Sequence, residues 1–264
     1  MDTTQLFEKL WQDYAATTPS AELVKKAFEN EGNTVNNDHI AFRTFNDPRI
    51  NIDQLAALPL ALGYEFKNDY VFEEKKLYAK HLAHKTNPSL PLIFISELKI
   101  EEFPIEFRLQ IQRIIDSIDF NKLDPMELLF AGRLWELPSY EIYSQLLEQS
   151  EYAAWLYVNG FCANHFTVAV NDLTTFSNLE SVNAFLKEKG FVLNTSGGEI
   201  KGTPEQLLRQ SSIVADNIPV QFQEGIFVVT SCYYEFAYRY HGFTGFIANS
   251  ADKIFESTDK RMAY

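Results

Sequence analysis

Three runs of the chain alternate bulky apolar residues with smaller or polar ones at a period of two. In residues 38–45 (DHIAFRTF), Ile40, Phe42 and Thr44 lie opposite His39, Ala41, Arg43 and Phe45. In residues 164–170 (NHFTVAV), Phe166, Val168 and Val170 oppose His165, Thr167 and Ala169. In residues 233–240 (YYEFAYRY), Tyr234, Phe236 and Tyr238 oppose Tyr233, Glu235, Ala237 and Arg239. That period is the signature of a strand. One face of each run calls for a packed layer of helices, and the other presents His or Glu among small residues.

The intervening segments read as two similar units. Residues 3–30 predict two helices, broken at Thr18-Pro19-Ser20 and ended by Gly32 and Asn33. After the first key strand, residues 51–62 predict a helix that Pro59 kinks or ends early, with Gly63 as its cap. Strands follow at 64–72, 76–84 and 92–98. Residues 104–159 change to helical patterning, with helices expected at 105–118, 125–135, 140–149 and 151–158. At Gly160 the first order returns: strand 164–170, helix 179–189 stopped by Gly190, then strand signals at 191–193, 212–216, 220–222 and 226–239. A short helical patch is expected near residues 204–209. A glycine-containing tail and a helix from about Asn249 follow, placed to cover a site or simply to pack. The expected architecture is α+β: paired βαβββ units forming one curved mixed sheet, with N-terminal and inserted helices. The units are placed at about 38–98 and 164–240, the insert at 104–159 and the tail at 241–260, all within one domain spanning 1–264. His39 matches His165 between the units, Gly63 matches Gly190, and Glu97 matches Glu235.

Composition narrows the function. A hydrophobic fraction of 46% over 264 residues provides for a sizeable core. The formal charge of −13 argues against nucleic acid or an anionic membrane as partner. The apolar runs are shorter than the roughly 18 residues that cross a bilayer, and the acidic amphipathic N-terminus is unlike a signal peptide. Cys162 and Cys232 form no metal-type pair, and a cytoplasmic setting with reduced thiols is expected.

Chemistry concentrates on the polar faces of the three runs. Two histidines and one carboxylate are the donor set of non-haem iron sites, which leave other positions open. His39, His165 and Glu235 are therefore the candidate metal ligands. They compete with a reading in which the histidines are satisfied core residues and Glu235 pairs with Arg239. Arg43 shares the face of His39, about 13 Å further along the strand, and suits a bidentate grip on a carboxylate. Its structural alternative is an ion pair with Glu97 or Glu235. Tyr233 is a candidate site hydroxyl that would bind substrate. Glu97 is expected to stand behind the metal ligands as a supporting carboxylate. His81, His84 and His241 are assigned core, surface or minor roles, and both cysteines are read as inert.

The segments HIAFRTF, AGRLWELP, YAAWLYVNG, NHFTVAV, YYEFAYR and the GFTGF…ADKIFESTD tail together resemble the DUF1338 family of 2-oxoadipate dioxygenase/decarboxylases, also called hydroxyglutarate synthases. The resemblance runs from about residue 30 to 260. It implies a vicinal-oxygen-chelate-like core and an Fe(II) centre held by His39, His165 and Glu235. It also implies that Arg43 binds the distal carboxylate of the substrate. The implied reaction takes 2-oxoadipate and O2 to 2-hydroxyglutarate and CO2, in lysine breakdown. The chain is shorter than the characterised bacterial enzymes, which carry additional segments. Two other readings compete: a glyoxalase-like isomerase or lyase that consumes no oxygen, and a metal-free small-molecule binding module. The first would favour Glu97 as a true ligand; failure to retain a metal would favour the second.

Overall fold

The computed structural model describes residues 1–247. Its strands are β1 (Asn37–Phe45), β2 (Tyr64–Phe72), β3 (Leu77–His84), β4 (Leu92–Leu98), β5 (Ala163–Ala169), β6 (Lys201–Thr203), β7 (Leu208–Ser212), β8 (Asn217–Phe222), β9 (Gly225–Thr230) and β10 (Tyr233–Arg239). The helices are α1 (Thr3–Thr17), α2 (Pro19–Asn30), the short α3 (Ile52–Leu55) and α4 (Ala57–Ala61), α5 (Ile105–Asp116), α6 (Tyr140–Gln149), α7 (Glu151–Asn159) and α8 (Leu179–Glu188). Eight strands form one curled mixed sheet in the order β2-β3-β4-β1-β5-β10-β7-β6. Each unit contributes four neighbours in mirrored order. They join through the antiparallel pair β1–β5, and β4 and β10 run parallel to their first strands. This is the paired-unit architecture expected from the alternation.

The alternation also decides the layers. Ile40, Phe42, Phe166, Val168, Tyr234 and Phe236 are buried on the outer face. There α1 and α2 cover them: Trp11 meets Phe166 edge-on at 5.2 Å, and Phe28 meets Phe236 at 6.0 Å. Each such ring taken from water contributes roughly 1.5–3 kcal/mol. The inner face carries the candidate site.

Several local expectations change. The segment 51–62 divides into α3 and α4 because Pro59 has no N–H to offer Leu55, so the ladder restarts at Ala56, which accepts from Leu60. The helix expected over 125–135 is a 3-10 turn, Pro125–Phe130. Beyond it Gly132 exchanges two backbone hydrogen bonds with Phe161, which holds the chain extended. The helical patch near 204–209 is instead a turn, and the strand after it is β7 rather than 212–216. Residues 191–193 make a single bridge, Leu193 to Ile213. The long run 226–239 breaks at Ser231 and Cys232, whose backbones bond Asp216. The β8–β9 hairpin so formed is an insertion in the second unit and pairs apart from the main sheet.

Candidate metal centre and substrate pocket

β1, β5 and β10 are neighbours, and their inward positions converge. His39 lies opposite Thr167, His165 opposite Ala41, and Glu235 opposite Thr167 on its other side. The side chains of His39, His165 and Glu235 consequently meet, each with a ligand atom within 4.8 Å of the others. Glu235 Oε1 is 3.7 Å from His39 Nε2, and Oε2 is 3.3 Å from His165 Nε2. All three are buried.

The residue preceding each histidine sets its tautomer. His39 Nδ1 is 2.6 Å from Asp38 Oδ1, and His165 Nδ1 is 3.0 Å from Asn164 Oδ1. Both partners accept, so each Nδ1 carries the proton and each Nε2 presents a lone pair inward. Thr167 Oγ1 stands 3.1 Å from His39 Nε2. Gln210 donates to Glu235 Oε1, while Oε2 is buried without a hydrogen-bond donor among the described residues. Burial pushes the Glu235 carboxyl up to about 7 and drives the His165 imidazole well below its usual value. Two imidazole lone pairs facing a desolvated carboxylate are mutually unfavourable until a cation or protons sit between them. The donors present therefore fit a divalent metal, with nitrogen and oxygen ligands suited to first-row ions.

Arg43 is buried on the same face. It does not meet Glu97 or Glu235; its Nη1 donates to Glu151 Oε1 at 2.9 Å. Its guanidinium lies 4.8 Å from the ring of Tyr152 and 5.0 Å from that of Trp155, so α7 supplies both its counter-charge and its stacking surfaces. Tyr152 anchors α7 by accepting from Thr44 N at 3.0 Å and donating to Ser96 O at 2.7 Å. Tyr233 stacks on His165 with ring centroids 4.7 Å apart, and its buried hydroxyl has no hydrogen-bond partner among the described residues. Burial and the nearby Glu235 hold that phenol protonated.

Glu97 does not take the place expected for it. His39 pairs with Leu92 as His165 pairs with Tyr233, so the position matching Glu235 in the first unit is Phe94. Glu97 lies three residues further on, facing away from the histidines. There it accepts from Ile52 N at 3.1 Å at the start of α3. Among the described residues the candidate donors are thus one-sided, and apolar rings stand beside them. Phe246, in the described part of the tail, packs edge-on to His39 at 4.8 Å and against Phe94 at 4.9 Å. The tail covers the site to that extent; the helix expected from Asn249 lies outside the described residues. Arg239 bonds Asp38 rather than Glu235. Asp38, Thr167, Gln210, Glu151, Trp155 and Phe246 escaped the sequence reading. Only the Asp or Asn before each histidine left a visible signal.

His81, also assigned elsewhere, is buried beside this wall, 5.5 Å from Phe246, with Nδ1 2.9 Å from Tyr70 Oη. His241 is exposed. Burial lowers the His81 imidazole to about 4. The unfolded chain therefore takes up a proton near pH 6.5 that the folded chain refuses until about 4. Stability contributed by neutral His81 is complete above pH 6.5 and is lost as pH falls through that window. The expected result is that His81→Gln flattens the fall in thermal midpoint between pH 6.5 and 4, measured by circular dichroism. Parallel curves for the two proteins would show that His81 is charged in the fold.

The chain matches the family described as 2-oxoadipate dioxygenase/decarboxylase over residues 2–244. A chloroplastic 2-oxoadipate dioxygenase/decarboxylase of Arabidopsis thaliana is 36% identical over 250 residues, 84% of this chain and 67% of that protein. The rice (Oryza sativa) hydroxyglutarate synthase, solved in complex with 2-oxoadipate, superposes with a TM-score of 0.88 at 32% identity, covering 99% of this chain and 94% of that one. A crystal structure from Shewanella frigidimarina, described provisionally as a hydrolase, superposes with a TM-score of 0.87 at 46% identity, covering 94% and 98%. None of the described helices is long and apolar enough to cross a membrane. By the span of the family match and by its identity to the plant enzymes, the chain belongs to the 2-oxoadipate dioxygenase/decarboxylase family.

Proposed function

We propose that this protein converts 2-oxoadipate and O2 to 2-hydroxyglutarate and CO2 at an Fe(II) centre held by His39, His165 and Glu235. The convergence of these three donors on one buried point carries the reading. The rice relative with 2-oxoadipate bound supports the substrate class. The glyoxalase-like reading expects a carboxylate from each unit, whereas Phe94 occupies that position and Glu97 faces away. We place the reaction in lysine breakdown in the cytoplasm, where the free thiols of Cys162 and Cys232 stay reduced.

Bound iron would supply a Lewis acid for the carboxylate and keto oxygens of the 2-oxo acid, and a redox partner for O2. The chain's residues do the rest. Asp38 and Asn164 hold both Nε2 atoms inward, and Gln210 orients Glu235. Arg43, held against Tyr152 and Trp155, takes the distal carboxylate and so gauges the length of the acid. Tyr233 keeps its proton and donates it as a hydrogen bond to the bound substrate. Phe94 and Phe246 keep water from the open side.

Oxygen uptake by apo-protein reconstituted anaerobically with Fe(II) tests the reading. Uptake with 2-oxoadipate should be matched by equal CO2 and 2-hydroxyglutarate. 2-Oxoglutarate, one methylene shorter, should be at least about 10-fold poorer in kcat/KM. No uptake with either acid, despite one tightly bound metal per chain, would turn the assignment to the glyoxalase-like enzyme.

A further inference from the structure

We infer that Arg239 is a positioning residue that couples the setting of His39 to the seating of Phe246 above it; the inference rests on the metal site proposed above. The guanidinium of Arg239 reaches two parts of the molecule at once. Its Nε donates to Asp38 Oδ2 at 2.7 Å and its Nη2 to Asp38 Oδ1 at 2.9 Å. Asp38 Oδ1 is also the acceptor for His39 Nδ1. The remaining nitrogen, Nη1, donates to the carbonyls of Phe243 at 3.2 Å and Gly245 at 2.7 Å. The next residue is Phe246, whose ring meets His39 edge-on and lies 5.2 Å from the same guanidinium. Phe246 is held on its other side by its N–H to Tyr70 Oη at 3.1 Å.

One planar group therefore joins the carboxylate that orients a metal ligand to the backbone that places the ring over that ligand. A lysine could neutralise Asp38, but it lacks the fixed fork that engages both oxygens and both carbonyls together. Among the described residues the second histidine has no such connection: His165 Nδ1 bonds the neutral amide of Asn164. The asymmetry matters because the ring of Phe246 packs edge-on to His39, beside the triad, where none of the described residues offers a further donor. If the tail segment leaves, Nη1 loses two acceptors and its hold on Asp38 loosens. If His39 turns, the carboxylate that fixes Arg239 turns with it. Seating of the ring and readiness of the ligand become one equilibrium, and by reciprocity a metal that stabilises one stabilises the other. A plain structural ion pair would hold Asp38 without transmitting anything to Phe246.

The test uses zinc alone as the probe, on metal-free full-length protein. Isothermal titration gives the affinity, and hydrogen exchange read by mass spectrometry on the peptide containing Phe246 gives the seating. In the wild type, zinc should slow exchange of the Phe246 amide. Arg239→Gln should bind zinc about 10- to 100-fold more weakly, and zinc should no longer slow that amide. Asp38→Asn, which keeps the size of the side chain and an acceptor for His39, should show the same paired loss and decides the matter if Arg239→Gln does not fold. Arg239→Lys should recover part of the affinity without the protection. Wild-type affinity in both Arg239→Gln and Asp38→Asn, or weakened affinity with zinc protection intact, would overturn the coupling. A wild type that takes up no zinc would overturn the metal centre itself, and the first titration reveals it.

Discussion

His165→Ala is expected to abolish oxygen uptake with 2-oxoadipate, by more than the roughly 10- to 100-fold that loss of a residue supporting a ligand costs. The substitution removes one of the three donors that the described residues bring together at the proposed metal. It also takes away the ring on which Tyr233 stacks. The fold should persist. His165 sits in the inner face of a continuous sheet whose β5 hydrogen bonds are made by backbone, and the outer apolar layer is untouched. A change of about 1 kcal/mol would shift the thermal midpoint by only about 2–4 °C in a chain of this size. Metal content, circular dichroism and oxygen uptake measured on one preparation check it. Folded protein that turns over within tenfold of wild type would remove His165 from the metal site.

Arg43→Met is expected to fail in two separable ways. It takes the guanidinium away from the buried carboxylate of Glu151, and breaking a buried ion pair by deleting one member costs about 3–5 kcal/mol. It also removes the proposed grip on the distal carboxylate. Truncating one member of a buried charge pair at a binding site costs about 2–5 kcal/mol, so kcat/KM for 2-oxoadipate should drop by at least about 30-fold. The double variant Arg43→Met/Glu151→Gln distinguishes the two effects. With both members of the pair neutralised, most of the stability should return, while the loss in kcat/KM stays. Denaturant melts and steady-state kinetics on both variants are sufficient. Recovery of activity along with stability would make Arg43 a packing residue whose only task is to pair with Glu151.

Much of this was legible in local pattern. The alternation in β1, β5 and β10 named both faces of the sheet, and the spacing of His39, His165 and Glu235 along those strands placed them all inward. Gly63 and Gly190 end their helices with φ of +97° and +88°, the left-handed region that glycine enters cheaply. The failures have physical reasons too. Glu97 read as the partner of Glu235 because both end a unit, but strand register, not order along the chain, decides equivalence. An offset of three residues turns a side chain to the other face. The counter-charge of Arg43 lies 108 positions away on an inserted helix, and no local pattern could select Glu151 over the other carboxylates. Arg239 follows Glu235 in the same alternation, yet it bonds Asp38, two strands away on β1 where the register against β5 is irregular, a contact that no local pattern announces.

The sequence by itself determined the three alternating strands, their polar and apolar faces, the paired units and the three residues offered to a metal, because period-two alternation is a property of neighbours along the chain. The tertiary structure alone decided which side chains support those donors, that Arg43 pairs with Glu151, and that Phe246 packs against His39 and Phe94. Those are contacts between strands and inserted segments, whose register and docking come from packing the whole sheet rather than from any one stretch of it.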